Sequence, residues 1–383
     1  MPRRLAESQV VACHIVATRN PELNNMPTLS DPFKIKNIVL PSRIVRSATA
    51  ERIAMRDERD GEILGQIYAE LAGGGVGLII SGHIAVHPAG RLHASMPMIY
   101  GSINAASWRA AMALARKAGG TVFFQLNHGG GRCRVENGCD PVCVSYLPGR
   151  EHDAMLGREL TGNDISALIS AYADAARKAR DLGADGIQIH AAHGYLVSQF
   201  LSPLTNRRSD EWGGALEGRA NFLRTVLRAV RSTLGADCPL GVKLGACDED
   251  PSGLKIEETL LLAQWLEADG IDFIEISGAF RADIAMRKVG PGKNEGYYLP
   301  FAAQFKKILK IPVIAVGGLR SLEIINGAIS SGQCDAVAMS RALICQPNLP
   351  QILRSGGKSE CRGCNLCLLR HDRQTGCHAR PRN

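Results

Sequence analysis

Two histidines and a tyrosine fall within six residues at the end of an apolar stretch, in GIQIHAAHGY (186–195). Strand interiors are normally apolar, and reactive side chains gather where a strand gives way to a loop. A neutral imidazole N–H donates to a carbonyl oxygen, and a pair of them, His190 and His193, polarises an enone. A tyrosine hydroxyl, with a reference pKa of about 10, supplies the proton such a reaction needs at the α-carbon, which is the task suited to Tyr195. Metal binding by the two histidines would require a third ligand and different spacing, so no metal is assigned. Read singly, each of the three residues fits a cap or a core polar group equally well; their crowding makes them a catalytic candidate.

Three further places have chemistry at the end of an apolar run. Gln125 closes TVFFQ (121–125), and an amide there offers both a donor and an acceptor. Lys243 lies in GVKL (241–244) and brings a cation to a dry position. Gly317 and Gly318 end IAVGG, and Ser340 and Arg341 follow AVAM. Glycine lets a backbone N–H approach a phosphate closely, and arginine adds charge and a two-pronged fork.

The elements that must position these groups repeat with a clear rhythm. Apolar strand-length runs occur at 43–47, 77–82, 121–126, 186–190, 240–244, 273–277, 312–317 and 336–340. Each is nearly continuous, as suits a parallel strand buried on both faces. Helix-length amphipathic segments separate them at 63–73, 105–118, 164–182, 216–234, 256–268, 299–309 and 321–330, with Asp164 and Ser321 as N-caps and Gly183 as a C-terminal stop. Eight strand–helix units predict an α/β fold, a (β/α)8 TIM barrel, with the site at the C-terminal ends of the strands. A doubly wound sheet would place a glycine-rich dinucleotide turn after the first strand, and the segment there, RSATAER, has none.

The stretch HAAHGYLVSQFLSPLTNRRSDEWGG (190–214) resembles the signature of the Old Yellow Enzyme family, the FMN-dependent ene-reductases and NADH:flavin oxidoreductases, and the resemblance runs over about 31–350. QLNHGGGR (125–132) is similar to that family's QLxHxGR. The resemblance implies FMN, with NAD(P)H as reductant and a small-molecule enone as substrate. It assigns Gln125 to the flavin pyrimidine, Lys243 to the N1–C2 carbonyl edge beside the anionic reduced ring, and the 46–52 segment, with Ser47, Ala48 and Thr49, to the flavin itself. His190 and His193 then anchor the carbonyl and Tyr195 protonates. Departures are visible: Ser42 and Ala48 stand where the family's NRIVxxP segment has Asn and Pro, Ala50 where many members have a Thr or Cys that tunes the flavin potential, and Lys243 where many have Arg. Within NRRSDEWGG, Arg207 is expected to pair with Asp210.

Bulk properties set the frame. The chain has 383 residues, 45% hydrophobic and 21% charged, enough for one large barrel domain at 31–356 between an extension at 1–30 and a tail at 357–383. Met26 is a plausible start for the folded part. The net charge of +8 is scattered, dense only in the tail, so nucleic acid is not expected as a partner. No apolar run reaches the roughly 18 residues of a membrane span. Twelve cysteines without a secretion signal suit a reducing, cytoplasmic compartment; homo-oligomers remain compatible. Cys361, Cys364, Cys367 and Cys377 crowd the tail, and larger relatives such as the 2,4-dienoyl-CoA reductases carry a similar cluster for an iron–sulfur centre, with different spacing. The long loop from Arg132 to Glu159 suits a substrate mouth, and Arg281, Arg287, Lys288 and Lys293 suit an acidic substrate or the phosphate of NADPH. Three alternatives remain at this stage: a tRNA-dihydrouridine-synthase-like enzyme, which would want a catalytic cysteine loop that the 126–133 segment lacks, a flavin-free barrel isomerase or aldolase, and an inactive flavin- or ligand-binding protein.

Overall fold

The computed structural model describes residues 26–134, 140–148, 156–279, 289–290, 292–369 and 374–378. Eight parallel strands form the centre: β1 (Ile44–Arg46), β2 (Leu78–Ile80), β3 (Val122–Asn127), β4 (Gly186–Ala191), β5 (Leu240–Gly245), β6 (Phe273–Ser277), β7 (Val313–Ala315) and β8 (Ala336–Met339). Each pairs in parallel with its sequence neighbour, β2 pairs with β3, and β8 returns to β1, so the sheet closes into the expected (β/α)8 TIM barrel.

Helices follow the strands: α1 (Glu58–Gly73), α2 (Ala105–Lys117), α3 (Gly162–Asp181), the short α4 (Leu196–Leu201), α5 (Leu216–Leu234), α6 (Ile256–Ala268), α7 (Leu299–Ile308), α8 (Leu322–Ser330), then α9 (Arg341–Cys345), α10 (Leu349–Arg354) and α11 (Leu366–Leu369). Asp164 is not the cap of α3. Thr161 caps it, with Asp164 three residues on in a reciprocal capping box. Arg158 grips the Asp164 carboxylate at 2.6 and 2.9 Å, and this hydrogen bonding holds its pKa below the usual carboxylate range.

Strand residues two apart share a face, and the interior is layered accordingly. At the bottom Phe123 and Phe273 meet with centroids 5.6 Å apart. Gly186 and Gly241 make room for them, since a Cβ on either would come within 2.7 and 2.3 Å of the neighbouring ring. A hairpin of Phe33–Ile35 and Ile38–Leu40 plugs that end, adding Phe33, Ile35 and Leu40 to the apolar layer of Val45, Leu78, Ile80 and Ile314. The next layer up is polar: Gln125 on β3, Gln188 on β4, Lys243 on β5 and Glu275 on β6, all buried. A second, larger core lies between strands and helices.

The expected extension falls mostly on residues 1–25, outside the described part. Where it is described, the tail lies against the loops that follow β1 and β7. Arg52 donates to the Leu368 carbonyl at 2.9 Å, Thr375 Oγ1 to the Ala50 carbonyl at 2.7 Å, and Arg320 to the Cys361 carbonyl at 2.6 Å. Among the described residues no helix is long and apolar enough to cross a membrane.

Candidate active site

A cavity of about 290 Å³ opens at the C-terminal ends of the strands. Ser47, Ala48, Thr49, Gln125, His190, His193, Tyr195, Lys243, Gly318, Ser340 and Arg341 all line it. Gly317 does not: it stands behind the wall, its carbonyl accepting from the Gly296 and Tyr297 amides at 2.7 and 3.3 Å. Both glycines have positive φ, 134° and 75°, so the chain turns here in a conformation that side chains oppose.

At one end, the His190 ring lies 5.0 Å from both His193 and Tyr195, centroid to centroid, and edge-on to each. The Ala192 amide donates to His190 Nδ1 at 3.3 Å, which leaves the ring proton on Nε2, free to be given away. His193 Nε2 lies 2.8 Å from Ser277 Oγ; with the serine donating, the His193 proton sits on Nδ1. Burial pushes both imidazoles well below their ordinary range; the charge of Lys243 adds to this for both, and each ring also feels a neighbouring histidine. They are therefore neutral donors at physiological pH. Burial also raises the Tyr195 pKa, keeping the phenol protonated. The NRRSD loop that follows α4 is anchored by Arg208, not Arg207: Arg208 grips Asp210 at 2.5 to 3.1 Å and donates to the Val144 and Leu160 carbonyls. The Arg207 amide bonds Ser145 Oγ instead.

Several neighbours escaped the sequence reading. His83 follows β2 and sits 5.5 Å from the Tyr195 ring, its pKa driven by burial to about 3. Arg320 is buried and donates to the Gly318, Val289 and Cys361 carbonyls, tying the glycine turn to the tail. Arg46 and Glu51 form a buried pair at 3.0 Å, and the Glu51 carboxylate also accepts from the Gly82 amide and the Tyr68 hydroxyl, which shapes the 47–52 turn. Tyr297, Tyr298 and the tail's Leu368 complete the walls. A buried Glu in FIEIS is the kind of signal that would have pointed to Glu275. His128 is absent from this cavity: its Nδ1 accepts from the Gly130 amide at 3.0 Å and holds the glycine loop, beside a separate pocket with His87. Much of the 132–159 loop and the Arg281–Lys288 run lies outside the described residues.

The donors suit a long ligand with a flat ring and a phosphate. Arg341, Ser340 and the Gly318 turn, just past β7 and β8, offer charge, a hydroxyl and backbone; Gln125 on β3 and Lys243 on β5 offer an amide and an ammonium. Ala48, Val316 and Ala338 add small apolar wall. Such a set fits FMN.

The model of the NADH:flavin oxidoreductase / NADH oxidase family matches residues 28–360. The chain belongs to that family. It is 32% identical over 353 residues to an NADH oxidase of Thermoanaerobacter brockii, covering 91% of this chain and 54% of that protein. Among solved structures it is similar to a complex of 2-naphthoyl-CoA reductase with 2-naphthoyl-CoA (TM-score 0.85, 26% identity, 92% of this chain and 57% of that one). It is also similar to an old yellow enzyme homologue from Zymomonas mobilis (TM-score 0.73, 27% identity, 87% and 94%). The chain thus spans about half the length of the first two and nearly all of the third. Family membership brings FMN, with NAD(P)H as the reductant.

The tail cysteines line a second cavity of about 340 Å³, which Cys361, Cys364, Cys367, Cys377 and His378 share with Arg341. Among the described residues no three His, Cys, Asp or Glu side chains are gathered closely enough to hold a metal ion.

Proposed function

We propose that this protein reduces the C=C bond of α,β-unsaturated carbonyl compounds at the expense of NAD(P)H. FMN, when bound, would supply the hydride-transfer chemistry that links the nicotinamide to an electron-poor alkene. Everything else falls to the chain's own residues. Gln125 and Lys243 would hold the pyrimidine edge of the ring, Ser47, Ala48 and Thr49 would contact the flavin, and Gly318, Ser340 and Arg341 would hold the phosphate. His190 and His193 donate to the substrate's carbonyl oxygen and draw electron density from its β-carbon. Tyr195 gives a proton to the α-carbon. The observation that carries this reading is the neutral histidine pair, edge-on beside a protonated tyrosine, on the wall of a cavity whose other donors fit a flavin.

The test is NAD(P)H oxidation under anaerobic conditions with and without cyclohexenone. Enone-dependent turnover with a saturated ketone as product supports the reading; NAD(P)H oxidation indifferent to the enone removes it. Four tail cysteines line a cavity that shares Arg341 with the first, but among the described residues they are not gathered closely enough to hold a metal ion, which weighs against a second reading in which electrons also pass through an iron–sulfur centre. Iron and acid-labile sulfide in anaerobically purified protein would support it, and protein free of both would dismiss it.

A further inference from the structure

Glu275 sits mid-strand in the barrel interior and is wholly buried. A carboxylate there costs several kcal/mol unless it is paired and fully hydrogen-bonded. It is both. Lys243 Nζ donates to Oε1 at 3.0 Å, Ser47 Oγ to the same oxygen at 2.5 Å, and Gln188 Nε2 to Oε2 at 2.9 Å. Lys243 also donates to Ser47 Oγ at 2.8 Å. Neither Glu275 nor Gln188 lines the cavity; they form the layer beneath it, while Lys243 and Gln125 reach its wall.

Two consequences follow from the chemistry of this layer. An ionised carboxylate only accepts hydrogen bonds. Gln188 must therefore turn its NH2 toward Glu275 and its carbonyl away, and that carbonyl accepts from Gln125 Nε2 at 2.7 Å. Gln125 is left presenting its own carbonyl and one N–H to the cavity, in one orientation rather than two. The second consequence is electrostatic. Lys243 spends two of its three N–H groups on Ser47 and Glu275 and keeps one for a ligand. A carboxylate 3.0 Å behind the ammonium cancels most of its field at longer range. The ligand edge receives a hydrogen bond with little net charge.

We propose that Glu275 is a positioning and tuning residue for the flavin: it neutralises Lys243, keeping the flavin's midpoint potential lower than an unpaired cation would set it, and it fixes the amide direction of Gln125. This rests on the FMN reading of the cavity. A cation at the pyrimidine edge favours the anionic reduced ring, so removing the opposing carboxylate raises the potential.

The experiment is the midpoint potential of FMN-loaded protein, measured by anaerobic equilibration against reference dyes. Glu275→Gln, neutral and of the same shape, should shift the potential upward. Adding Lys243→Met to Glu275→Gln removes both charges and should bring the potential back toward the wild-type value. Glu275→Asp keeps the charge and should leave the potential near wild type even where it lowers the melting temperature, a result that a merely structural role would not separate. An unmoved or lowered potential in Glu275→Gln, or in Glu275→Asp one raised as far as in Glu275→Gln, overturns the proposal. So does a double variant that fails to reverse the shift. A wild-type protein that takes up no FMN overturns the cofactor reading together with this one; a flavoprotein whose potential ignores Glu275 overturns this one alone.

Discussion

Replacing Tyr195 by phenylalanine isolates one proton. The Tyr195 backbone bonds that hold the turn, its amide to the Ala192 carbonyl at 3.4 Å and its carbonyl from the Gln199 amide at 2.8 Å, are untouched by the change. The ring stays, and with it the edge contact to His190 at 5.0 Å and the tilted contact to His83 at 5.5 Å. What is lost is a general acid, typically about 10²- to 10⁴-fold in rate, or roughly 3–5 kcal/mol of barrier. The loss should fall on one half of the cycle. In stopped flow, oxidation of the reduced enzyme by cyclohexenone should slow by that factor, while reduction by NAD(P)H, which needs no such proton, keeps its rate. Because burial raises the Tyr195 pKa, the phenol stays protonated and the wild-type oxidative rate should stay level as pH rises to about 10. Equal losses in the two half-reactions, or no loss in either, would refute the assignment of Tyr195 as the proton donor.

Other consequences can be checked on the same protein. His128 and His190 are held neutral by burial, His128 down to about 3. Both take up protons below about 6.5 once unfolded, so the unfolded state binds more protons and stability falls as pH drops below that value; between about pH 7 and 5 each should cost roughly 2 kcal/mol, read as the urea midpoint against pH, with a flat profile refuting the burial argument. Glu51→Ala leaves Arg46 buried without its partner and should cost about 3–5 kcal/mol in urea unfolding; a loss under about 1 kcal/mol would mean that water relieves the site. Arg341→Met should weaken FMN about tenfold to hundredfold, the worth of one charge-assisted hydrogen bond, and leave riboflavin, which has no phosphate, unaffected. Equal weakening of both ligands in a flavin titration would move the phosphate elsewhere.

The architecture was legible because its signals are local. Leu216–Leu234 and Ile256–Ala268 end where their apolar periodicity ends, and the eight apolar runs recur as the eight barrel strands. His190, His193 and Tyr195 could be found because they are crowded into one turn. What escaped depends on contacts between distant segments. Gln188 and Glu275 each look like an isolated polar residue between two isoleucines, and only the register of neighbouring strands puts them opposite Gln125 and Lys243. Arg207 and Arg208 are adjacent and alike, and the choice between them is made by the Val144 and Leu160 carbonyls, 64 and 48 positions away. Asp164 resembled a cap because capping boxes place an acid three residues inside the helix, and Thr161 was the true start. The tail gave no sign in its sequence that Leu368 would reach the cavity.

A crystal structure of the protein purified with its flavin tests the whole account in one measurement. The pyrimidine edge should lie within hydrogen-bonding distance of Gln125 and Lys243, the phosphate against Gly318, Ser340 and Arg341, and one face of the ring should lie open toward His190, His193 and Tyr195. A flavin lodged elsewhere, or seated with its phosphate at the Lys243 end, would contradict it.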